Sequence, residues 1–458
     1  SSKHHIEVNM SWENKILRIV RVVNAQEIGT FGRLLTAITA VGGNVGNIEL
    51  LNESTNQVVR DITIFADDEK HLELILETIR KNRGTKLLDV RDEVMALHLK
   101  GKIAVRSRYP IDSIATLQKV YTPGVAEVCM KIAKDPKLAH TYTSISHLVA
   151  IVTDGTAILG LGDIGPLAGM PVMEGKAMLM ETLVGLSGVP ILLNTKDPDE
   201  IIKIVAAIAP TFAAIQLEDI SAPRCFRIEE ELQKQLDIPV MHDDQHGTAV
   251  VTTAVLTMAC RKLKKDLGKA VIGQIGLGAA GNAIARMLMR ITGNPVWGAD
   301  LSEEALVRHE SNGGKRSTLK EIMANCDIIV STTGAPGLIK PEMVRKGQII
   351  LALSNPRPEI EPEVALKHGA AFAADGKLVN NVLGFPGIFR GAVDTWSPRI
   401  SDEMLLAAAQ AIANHTTDDQ LVPNPLDKKL HEAVAHAVAL KAIEQGLARA
   451  DYVPYIHE

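Results

Sequence analysis

The segment "MHDDQHGTAV", residues 241–250, places two acids, two histidines and a Gly-Thr pair directly after the apolar run "LDIPV". These residue types suit three kinds of site: a metal centre, a catalytic His/Asp pair, or the polar N-cap of a following helix. The ten residues alone leave all three open.

A second acidic pair favours the metal centre among these three kinds of site. The predicted strand "FAAIQLEDI" ends in Glu218 and Asp219, and the next predicted strand, "IPVM", is followed by Asp243 and Asp244. Adjacent strand ends bring these carboxylates together, where they repel each other unless one is protonated or a cation holds them. Oxygen ligands favour Mg²⁺ or Mn²⁺ over zinc.

The other residues of the segment have less specific roles. His242 and His246 are four residues apart but straddle a strand-to-helix junction, which disfavours a zinc pair on one helix. Asp244 is also a candidate N-cap of the predicted helix "GTAVVTTAVLTMACRKL", and it could act as cap and ligand together. Asp243 is expected to be a supporting hydrogen-bonding group.

A glycine-rich turn predicts a dinucleotide site. The segment "AVIGQIGLGAAGNAIARMLMRI" reads as a strand, a turn and a helix, and a second strand, "PVWGAD", ends at Asp300. Such glycines let the backbone approach a pyrophosphate, and the acid can accept hydrogen bonds from a ribose diol. Because Asp300 would repel a 2'-phosphate, NAD is favoured over NADP; alternatively, Asp300 is only a turn residue. The predicted cofactor-binding turn comprises Gly276, Gly278, Ala279, Ala280 and Gly281.

Two later apolar runs, "CDIIVSTTGAPGLI" and "GQIILALSNPRPEI", fit further strands of the same nucleotide domain. Their polar loops would face the cofactor. Asn355 in "LSNP" is the group best placed to reach a substrate or the nicotinamide.

Length and composition limit the function classes. A chain of 458 residues with 46% hydrophobic residues suggests two to four globular domains. The net charge of -5, without a dense Lys/Arg block, disfavours nucleic-acid and membrane partners. The four cysteines form no C-x-x-C pair, and neither a signal-peptide core nor an apolar span of about 20 residues is present, so we expect a cytoplasmic protein.

The main body alternates short apolar strands with helical stretches, which predicts an α/β fold with mostly parallel sheets. Ligands in such sheets gather beyond the carboxyl ends of the strands. Residues 16–98 instead give the order βαββαβ, with "GTKLLDVRDEVMAL" as the last strand, which is typical of ferredoxin-like folds.

The N-terminal unit also resembles an ACT-type regulatory domain, on the segments "EIGTFGRLL" and "VGGNVGNIE". This resemblance implies an effector pocket near Gly42, Gly43 and Asn44, between paired domains. The alternative is that these glycines only make a turn.

The main body resembles the prokaryotic malic enzymes over about residues 100–450, on seven motifs in order. These motifs are "YTPGVA", "DGTAILGLGDIGPLAGMPVMEGKAMLM", "LEDISAP", "HDDQHGTAVV", "GLGAAG", "LSNPRPEI" and "NNVLGFPGIFRGAVD". The resemblance implies oxidation of (S)-malate with NAD(P), followed by decarboxylation to pyruvate and CO₂ with a divalent metal.

Specific residue roles follow from this resemblance alone. It implies that Lys176 is the general base and Tyr121 the general acid, and it makes Glu218, Asp219 and Asp244 the metal ligands. Malate would be held by Asn355 and by the pair Asn380 and Asn381, principally the second of the pair.

Oxidation and decarboxylation of malate need one group that accepts a proton and one that donates a proton. A lysine whose pKa is lowered by burial or by a nearby cation can take the alcohol proton, and a tyrosine can protonate the enolate. From periodicity alone, Lys176 could equally be an exposed helix residue and Tyr121 a buried one. Ala157 stands where animal-type relatives carry a malate-binding arginine, so the carboxylate partner must come from elsewhere.

The predicted domains are an ACT-type unit over 1–98, a substrate and metal domain over 99–262, a Rossmann-type domain over 263–395, and C-terminal helices over 396–458. We expect a homodimer or a higher homo-oligomer. Two other functions remain open: a metal-independent NAD-dependent dehydrogenase, and an ACT-bearing effector sensor with a decayed catalytic body.

Overall fold

The computed structural model describes residues 15–158, 160–417 and 420–457. The N-terminal stretch in which no signal-peptide core was found lies mostly outside these residues. The chain divides into two compact units, Ser1–Lys102 and Ile103–Glu458.

The first unit contains one antiparallel sheet with two helices packed on it. Val20 and Val22 of the central strand are fully buried beneath Leu34 and Ile75 of these helices. The strands lie in the order β2-β3-β1-β4. Its elements are β1 (Ile16–Ala25), α1 (Thr30–Ala40), β2 (Asn44–Glu53), β3 (Gln57–Ala66), α2 (Glu69–Lys81), β4 (Thr85–Arg91) and α3 (Glu93–His98).

The last strand of this unit is shorter than the sequence predicted. β4 ends at Arg91, and the Asp92 side chain then accepts a hydrogen bond from the backbone N–H of Met95 at 3.0 Å. This is an N-cap, so the residues from Glu93 onward form α3 and not strand. The prediction failed because the apolar spacing of "VMAL" fits either element.

The second unit begins with three short helices, α4 (Ile114–Val120), α5 (Val125–Lys134) and α6 (Ala139–Tyr142). A four-stranded parallel sheet follows, with its strands in the order β6-β5-β7-β8. Its elements are β5 (Leu148–Thr153), α7 (Pro166–Val184), β6 (Ser187–Leu192), α8 (Pro198–Ile208), β7 (Ala214–Leu217), α9 (Arg224–Gln235), β8 (Val240–His242) and α10 (Asp243–Lys262).

The next part of the chain forms a six-stranded parallel sheet in the order β11-β10-β9-β12-β13-β14. Numbered from its own first strand, this order is 3-2-1-4-5-6, that of a doubly wound sheet. Its elements are β9 (Ile272–Ile275), α11 (Ala279–Thr292), β10 (Trp297–Ala299), α12 (Glu303–Ser311), β11 (Lys315–Arg316), α13 (Leu319–Asn325), β12 (Ile328–Ser331), β13 (Ile349–Ala352), α14 (Pro362–Lys367) and β14 (Phe372–Asp375).

Three C-terminal helices complete the unit: α15 (Phe385–Asp394), α16 (Asp402–His415) and α17 (Lys428–Glu444). Their buried residues, among them Phe389 and Val438, share one apolar cluster with residues of both parallel sheets, such as Ile151 and Ile328. Because this cluster is continuous, it fixes the carboxyl ends of one sheet relative to the other. The C-terminal apolar face is therefore buried within its own chain.

Among the described residues, no helix is long and apolar enough to cross a membrane. The four cysteines are all free thiols.

Candidate active site

Three carboxylates meet at the ends of two neighbouring strands. Leu217 of β7 pairs with His242 of β8, so the residues that follow each strand emerge side by side. Ligand oxygens of Glu218, Asp219 and Asp244 all lie within 4.8 Å of one another. We call these three residues the carboxylate triad. It joins the residues that the sequence placed in one metal site.

The triad is electrostatically strained. Burial, reinforced by the charge of Asp244, raises the pKa of Asp219 to about 7. Burial also raises the pKa of Glu218 well above its ordinary value. Oδ2 of Asp219 is buried and has no hydrogen-bond partner among the described residues. A divalent cation suits this arrangement, since the available donors are all oxygens and one of them is free.

A neighbouring loop holds Asp219 in an uncommon backbone conformation. Its φ of 53° lies in the left-handed region, which residues other than glycine rarely adopt. The carbonyl of Asp219 accepts a hydrogen bond from Ala157 N–H at 3.0 Å, and Ser221 N–H donates to Thr156 Oγ1 at 3.0 Å. The loop of the "DGTA" motif therefore braces the turn that presents the second acid.

Lys176 supplies the positive charge at this site. Its side chain projects from the middle of α7, and Nζ lies 2.5 Å from Asp243 Oδ2 and 3.1 Å from Glu218 Oε1. The same Nζ lies 4.4 Å from the centroid of the Phe385 ring. Lys176 is thus a half-buried group of the site and not an exposed helix residue.

The carboxylates around Lys176 have a larger effect on its pKa than burial has. Burial by itself lowers the pKa of Lys176, but the charges of Asp243 and Glu218 and the hydrogen bond to Asp243 outweigh it. The pKa of Lys176 consequently lies above its ordinary value, and the amine is protonated.

The two adjacent asparagines have different environments. Asn381 Nδ2 donates to Asp243 Oδ2 at 3.2 Å, and Asn381 Oδ1 accepts from Thr248 Oγ1 at 3.2 Å. Asn380 is exposed, and its Oδ1 accepts from Val382 N–H, where it caps a short 3₁₀ turn. The structure therefore brings the second asparagine to Asp243, the partner of Lys176, and leaves the first exposed.

Tyr121 is not brought to the triad. It lies at the end of α4 with 66% of its surface exposed, so it is not a buried tyrosine. Its backbone N–H and carbonyl bond to Leu117 and Val125, and no hydrogen bond of its hydroxyl appears among the described residues.

Asp244 is not the N-cap of α10. The helix begins at Asp243, so Asp244 lies in its first turn and His242 occupies the capping position. The carboxylate of Asp244 instead accepts a hydrogen bond from Asp219 N–H at 2.8 Å. His246 contacts Glu229, at 2.9 Å, and His242 lies behind Asp244. Neither histidine belongs to the triad.

The glycine-rich turn has the form that a dinucleotide site needs. Gly276 has a φ of 85°, and Gly278 precedes the first residue of α11. A Cβ on Gly281 would lie 1.9 Å from the Gly276 carbonyl oxygen. The turn thus depends on glycine at two points, and it leaves the helix N-terminus open to an anion. Ala279 and Ala280 form the first turn of that helix.

Asp300 lies beside this turn, in the wall of a cavity of about 830 Å³ that Gly276 and Gly278 also line. Its Oδ2 accepts from Leu277 N–H at 2.6 Å, and its Oδ1 accepts from Ser302 N–H at 2.8 Å. Asp300 therefore braces the turn while it faces the cavity.

Asn355 follows β13 and is exposed. It is not among the described residues that line the 830 Å³ cavity. A Cβ on Gly376 would lie 2.9 Å from Asn355 Nδ2, so this glycine lets the side chain lie close to the backbone after β14.

Backbone conformation and packing explain the two glycines that were predicted near an effector pocket. Gly42 has a φ of 81°, and a Cβ on Gly43 would lie 2.7 Å from the Ile38 side chain. These contacts support the turn interpretation. Asn44 is the first residue of β2.

The sequence interpretation missed two residues next to the site. Phe385 lies beneath Lys176, within the motif "NNVLGFPGIFRGAVD", and the sequence interpretation gave it no role. Glu229 is 4% exposed and shares the buried face of α9 with Cys225, Ile228 and Leu232. The i, i+3, i+4, i+7 spacing of this face was a usable signal, because an acid on an apolar stripe is unusual.

The chain matches two protein-family models. The model of the malic enzyme N-terminal domain matches residues 101–198 and 194–233, and the model of the malic enzyme NAD binding domain matches residues 368–446.

Whole proteins are similar over most of the chain. The NAD-dependent malic enzyme 1 of Bacillus subtilis (strain 168) is 54% identical over 93% of this chain and 98% of its own length. The NAD-dependent malic enzyme of Geobacillus stearothermophilus is 43% identical over 95% of this chain and 96% of its own. The crystal structure of malic enzyme from Pyrococcus horikoshii superposes with a TM-score of 0.75 at 40% identity, covering 79% of this chain and 92% of that chain.

Removal of one triad charge is expected to stabilise the metal-free protein. The raised pKa of Asp219 means that stability falls as pH rises from about 4 to about 7, because the folded state retains a proton that the unfolded state has lost. In EDTA at pH 8, Asp219→Asn should raise the free energy of unfolding by about 1 to 3 kcal/mol. Asparagine also tolerates the left-handed backbone at this position.

The measurement is thermal unfolding with EDTA and with Mn²⁺, at pH 5 and pH 8. Mn²⁺ should stabilise the wild type and not the variant, and the gain in EDTA should shrink at pH 5. Asp451→Asn, at an exposed position, is the control and should change neither value. A less stable Asp219→Asn at pH 8 in EDTA would contradict the strained triad.

Proposed function

The chain belongs to the malic enzyme family, and we propose that it oxidises (S)-malate and decarboxylates the product to pyruvate and CO₂, with NAD as hydride acceptor. The observation that carries this proposal is the carboxylate triad with Lys176 in contact with Glu218. It combines a site for a hard cation with a proton-transfer group at the carboxyl end of a parallel sheet.

The triad is the proposed site of Mg²⁺ or Mn²⁺. A divalent cation bound there would polarise the malate C2 oxygen and offset the carboxylate charge that now keeps Lys176 protonated. The buried carboxylates of Glu218 and Asp219 and the free Oδ2 of Asp219 support this assignment.

Lys176 is the proposed general base. Its Nζ is fixed by Asp243 and Glu218 on one side and by the Phe385 ring on another, so the proton-transfer group has a defined position. Asp243, which carries two hydrogen bonds, orients both Lys176 and Asn381. Asn381 is the proposed malate-binding group, with Asn355 reaching from the nucleotide side. Asn380 is the weaker candidate.

Dinucleotide binding is proposed at the cavity beside the glycine turn. The helix α11 N-terminus and the small residues of the turn suit the pyrophosphate, and Asp300 suits the adenosine ribose diol. A negative carboxylate at this position disfavours the 2'-phosphate of NADP.

Tyr121 is the proposed general acid, and its exposure has a consequence for assembly. It belongs to a stretch of exposed apolar residues that also includes Tyr109, Ile111, Ile114 and Met130, each at least 61% exposed. Several exposed apolar residues within about twenty positions of the chain favour association. We propose that the chain forms a homo-oligomer in which Tyr121 completes the active site of a second copy.

We also propose that the first unit is an ACT-type regulatory domain with a small-molecule effector, near Gly42, Gly43 and Asn44. Its βαββαβ order and antiparallel sheet support the domain type. The packing role of the glycines leaves the effector site with less support than the domain. A cytoplasmic location is proposed from the free thiols.

A steady-state assay tests the function. EDTA-treated protein with (S)-malate and NAD should produce NADH and pyruvate in equal amounts only after Mn²⁺ or Mg²⁺ is added. Turnover in EDTA would favour the metal-independent dehydrogenase. Absence of turnover with metal, together with stabilisation by an amino acid, would favour the effector sensor.

Mixing two inactive variants tests the role of the second copy. Lys176→Ala and Tyr121→Phe should each abolish overall turnover, because one lacks the base and the other the acid. In a statistical mixture of dimers, about one quarter of wild-type activity should return, since half the chains pair with the complementary variant and one site of each pair is intact. No recovery, in mixtures shown to contain mixed dimers, would contradict the shared site.

The cofactor preference depends on the charge of Asp300. Asp300→Asn should raise the ratio of NADP to NAD in kcat/KM about tenfold, because a like-charge contact with the 2'-phosphate is removed. The amide oxygen can still accept from one of the two backbone N–H groups. A wild type that already prefers NADP, or an unchanged ratio in the variant, would contradict this role.

A further inference from the structure

A buried network behind the triad has no part in the proposed reaction. At its centre lies Glu229 of α9, which is 4% exposed. Its carboxylate accepts from the backbone N–H of His242 at 2.8 Å, from Gln245 Nε2 at 3.2 Å, and from His246 Nε2 at 3.0 Å. A buried carboxylate is costly unless it is satisfied in this way, so its retention here needs an explanation.

The network determines the orientation of Gln245. A carboxylate can only accept hydrogen bonds, so the atom of Gln245 that bonds Glu229 must be the amide nitrogen. The same nitrogen lies 3.1 Å from His242 Nδ1 and donates its second hydrogen to it. The neutral form with its proton on Nδ1 is therefore disfavoured, and Nε2 carries a proton in the other neutral form and in the cation alike.

That proton lies on the side of a triad member. His242 Nε2 is 3.0 Å from Asp244 Oδ2, and the ring is fully buried. Nε2 makes no aligned hydrogen bond among the described residues, and its contact with Asp244 Oδ2 is that of an ion pair. Movement of the Asp244 carboxylate away from the ring would remove this contact and leave a fully buried Nε2 without its acidic partner.

We infer that His242, fixed by Gln245 and Glu229, is a positioning residue that holds the Asp244 carboxylate in the orientation needed to bind a divalent cation. This inference rests on the metal site of the proposed function. Groups that hydrogen-bond a ligating carboxylate fix its rotamer in advance, so less ordering remains to be done when the ion binds.

The opposing interpretation is that His242 only fills space beneath α10. The two interpretations differ in one measurable respect. A space-filling residue changes the stability of the fold without changing metal affinity, whereas a positioning residue changes the affinity of the metal-free protein for Mn²⁺ even when malate and NAD are absent.

Two amide substitutions of His242 differ in how far the side-chain nitrogen extends. They therefore separate the position of the donor from the packing of the side chain. The amide nitrogen in His242→Gln extends about as far as Nε2 of histidine, and the amide in His242→Asn only about as far as Nδ1. The Mn²⁺ dissociation constant is measured from the electron paramagnetic resonance signal of the free ion, with protein alone. His242→Asn should weaken binding about 10- to 100-fold, and His242→Gln should stay within about threefold of the wild type.

His431→Asn is the matched control. His431 is also fully buried in the second unit, on α17, and its Nε2 lies 2.7 Å from the Pro425 carbonyl oxygen. This variant should lower the unfolding temperature in EDTA but leave the Mn²⁺ dissociation constant unchanged. Equal affinities for wild type, His242→Asn and His431→Asn would overturn the inference.

Two further outcomes bear on the role of His242 and on the proposed metal site. If His242→Asn fails to fold, Gln245→Met, which keeps the length but removes the donor, should still weaken Mn²⁺ binding, and unchanged affinity there would overturn the inference. If the wild type itself binds no Mn²⁺, the proposed metal site fails and the role of His242 fails with it. Wild-type binding with an unaffected His242→Asn refutes only the role of His242.

Discussion

Three buried carboxylates and a fourth that is partly exposed share one ammonium group at the carboxyl ends of β7 and β8. The acids are Glu218, Asp219, Asp243 and Asp244, and the ammonium group is that of Lys176. This excess of negative charge is unfavourable for the fold, as the raised pKa of Asp219 indicates. The same negative charge would favour binding of a divalent cation, so the feature that lowers stability would serve the proposed function.

The surrounding structure keeps these charges in place. Both parallel sheets share one apolar cluster, which prevents the strand ends from separating under the repulsion. The "DGTA" loop holds the Asp219 turn in its left-handed conformation, and the buried network around Glu229 lies behind Asp244. Interiors packed at high density transmit strain instead of relaxing it, so these elements resist separation of the carboxylates.

Much of this site could be predicted from the sequence, for physical reasons that can be named. Alternating apolar strands and helices predict parallel sheets, and acids after consecutive strands therefore meet at one edge. The 3-2-1-4-5-6 strand order agrees with the glycine turn and Asp300. The failures were at points that local pattern does not determine. The α3 boundary depended on a cap at Asp92, and the protonation of Lys176 depended on Asp243, 67 residues away. The exposure of Tyr121 depends on packing between elements distant in sequence, whereas the apolar stripe of α9 was a local signal for the burial of Glu229.

The proposed metal site places a single divalent cation between Glu218, Asp219 and Asp244. An anomalous difference map from crystals soaked in Mn²⁺ tests it most directly. We expect one strong peak within about 2.0 to 2.3 Å of one oxygen from each of the three carboxylates, and none beside His242 or His246. A peak held by either histidine, or no peak at the triad in crystals that bind Mn²⁺ elsewhere, would contradict it.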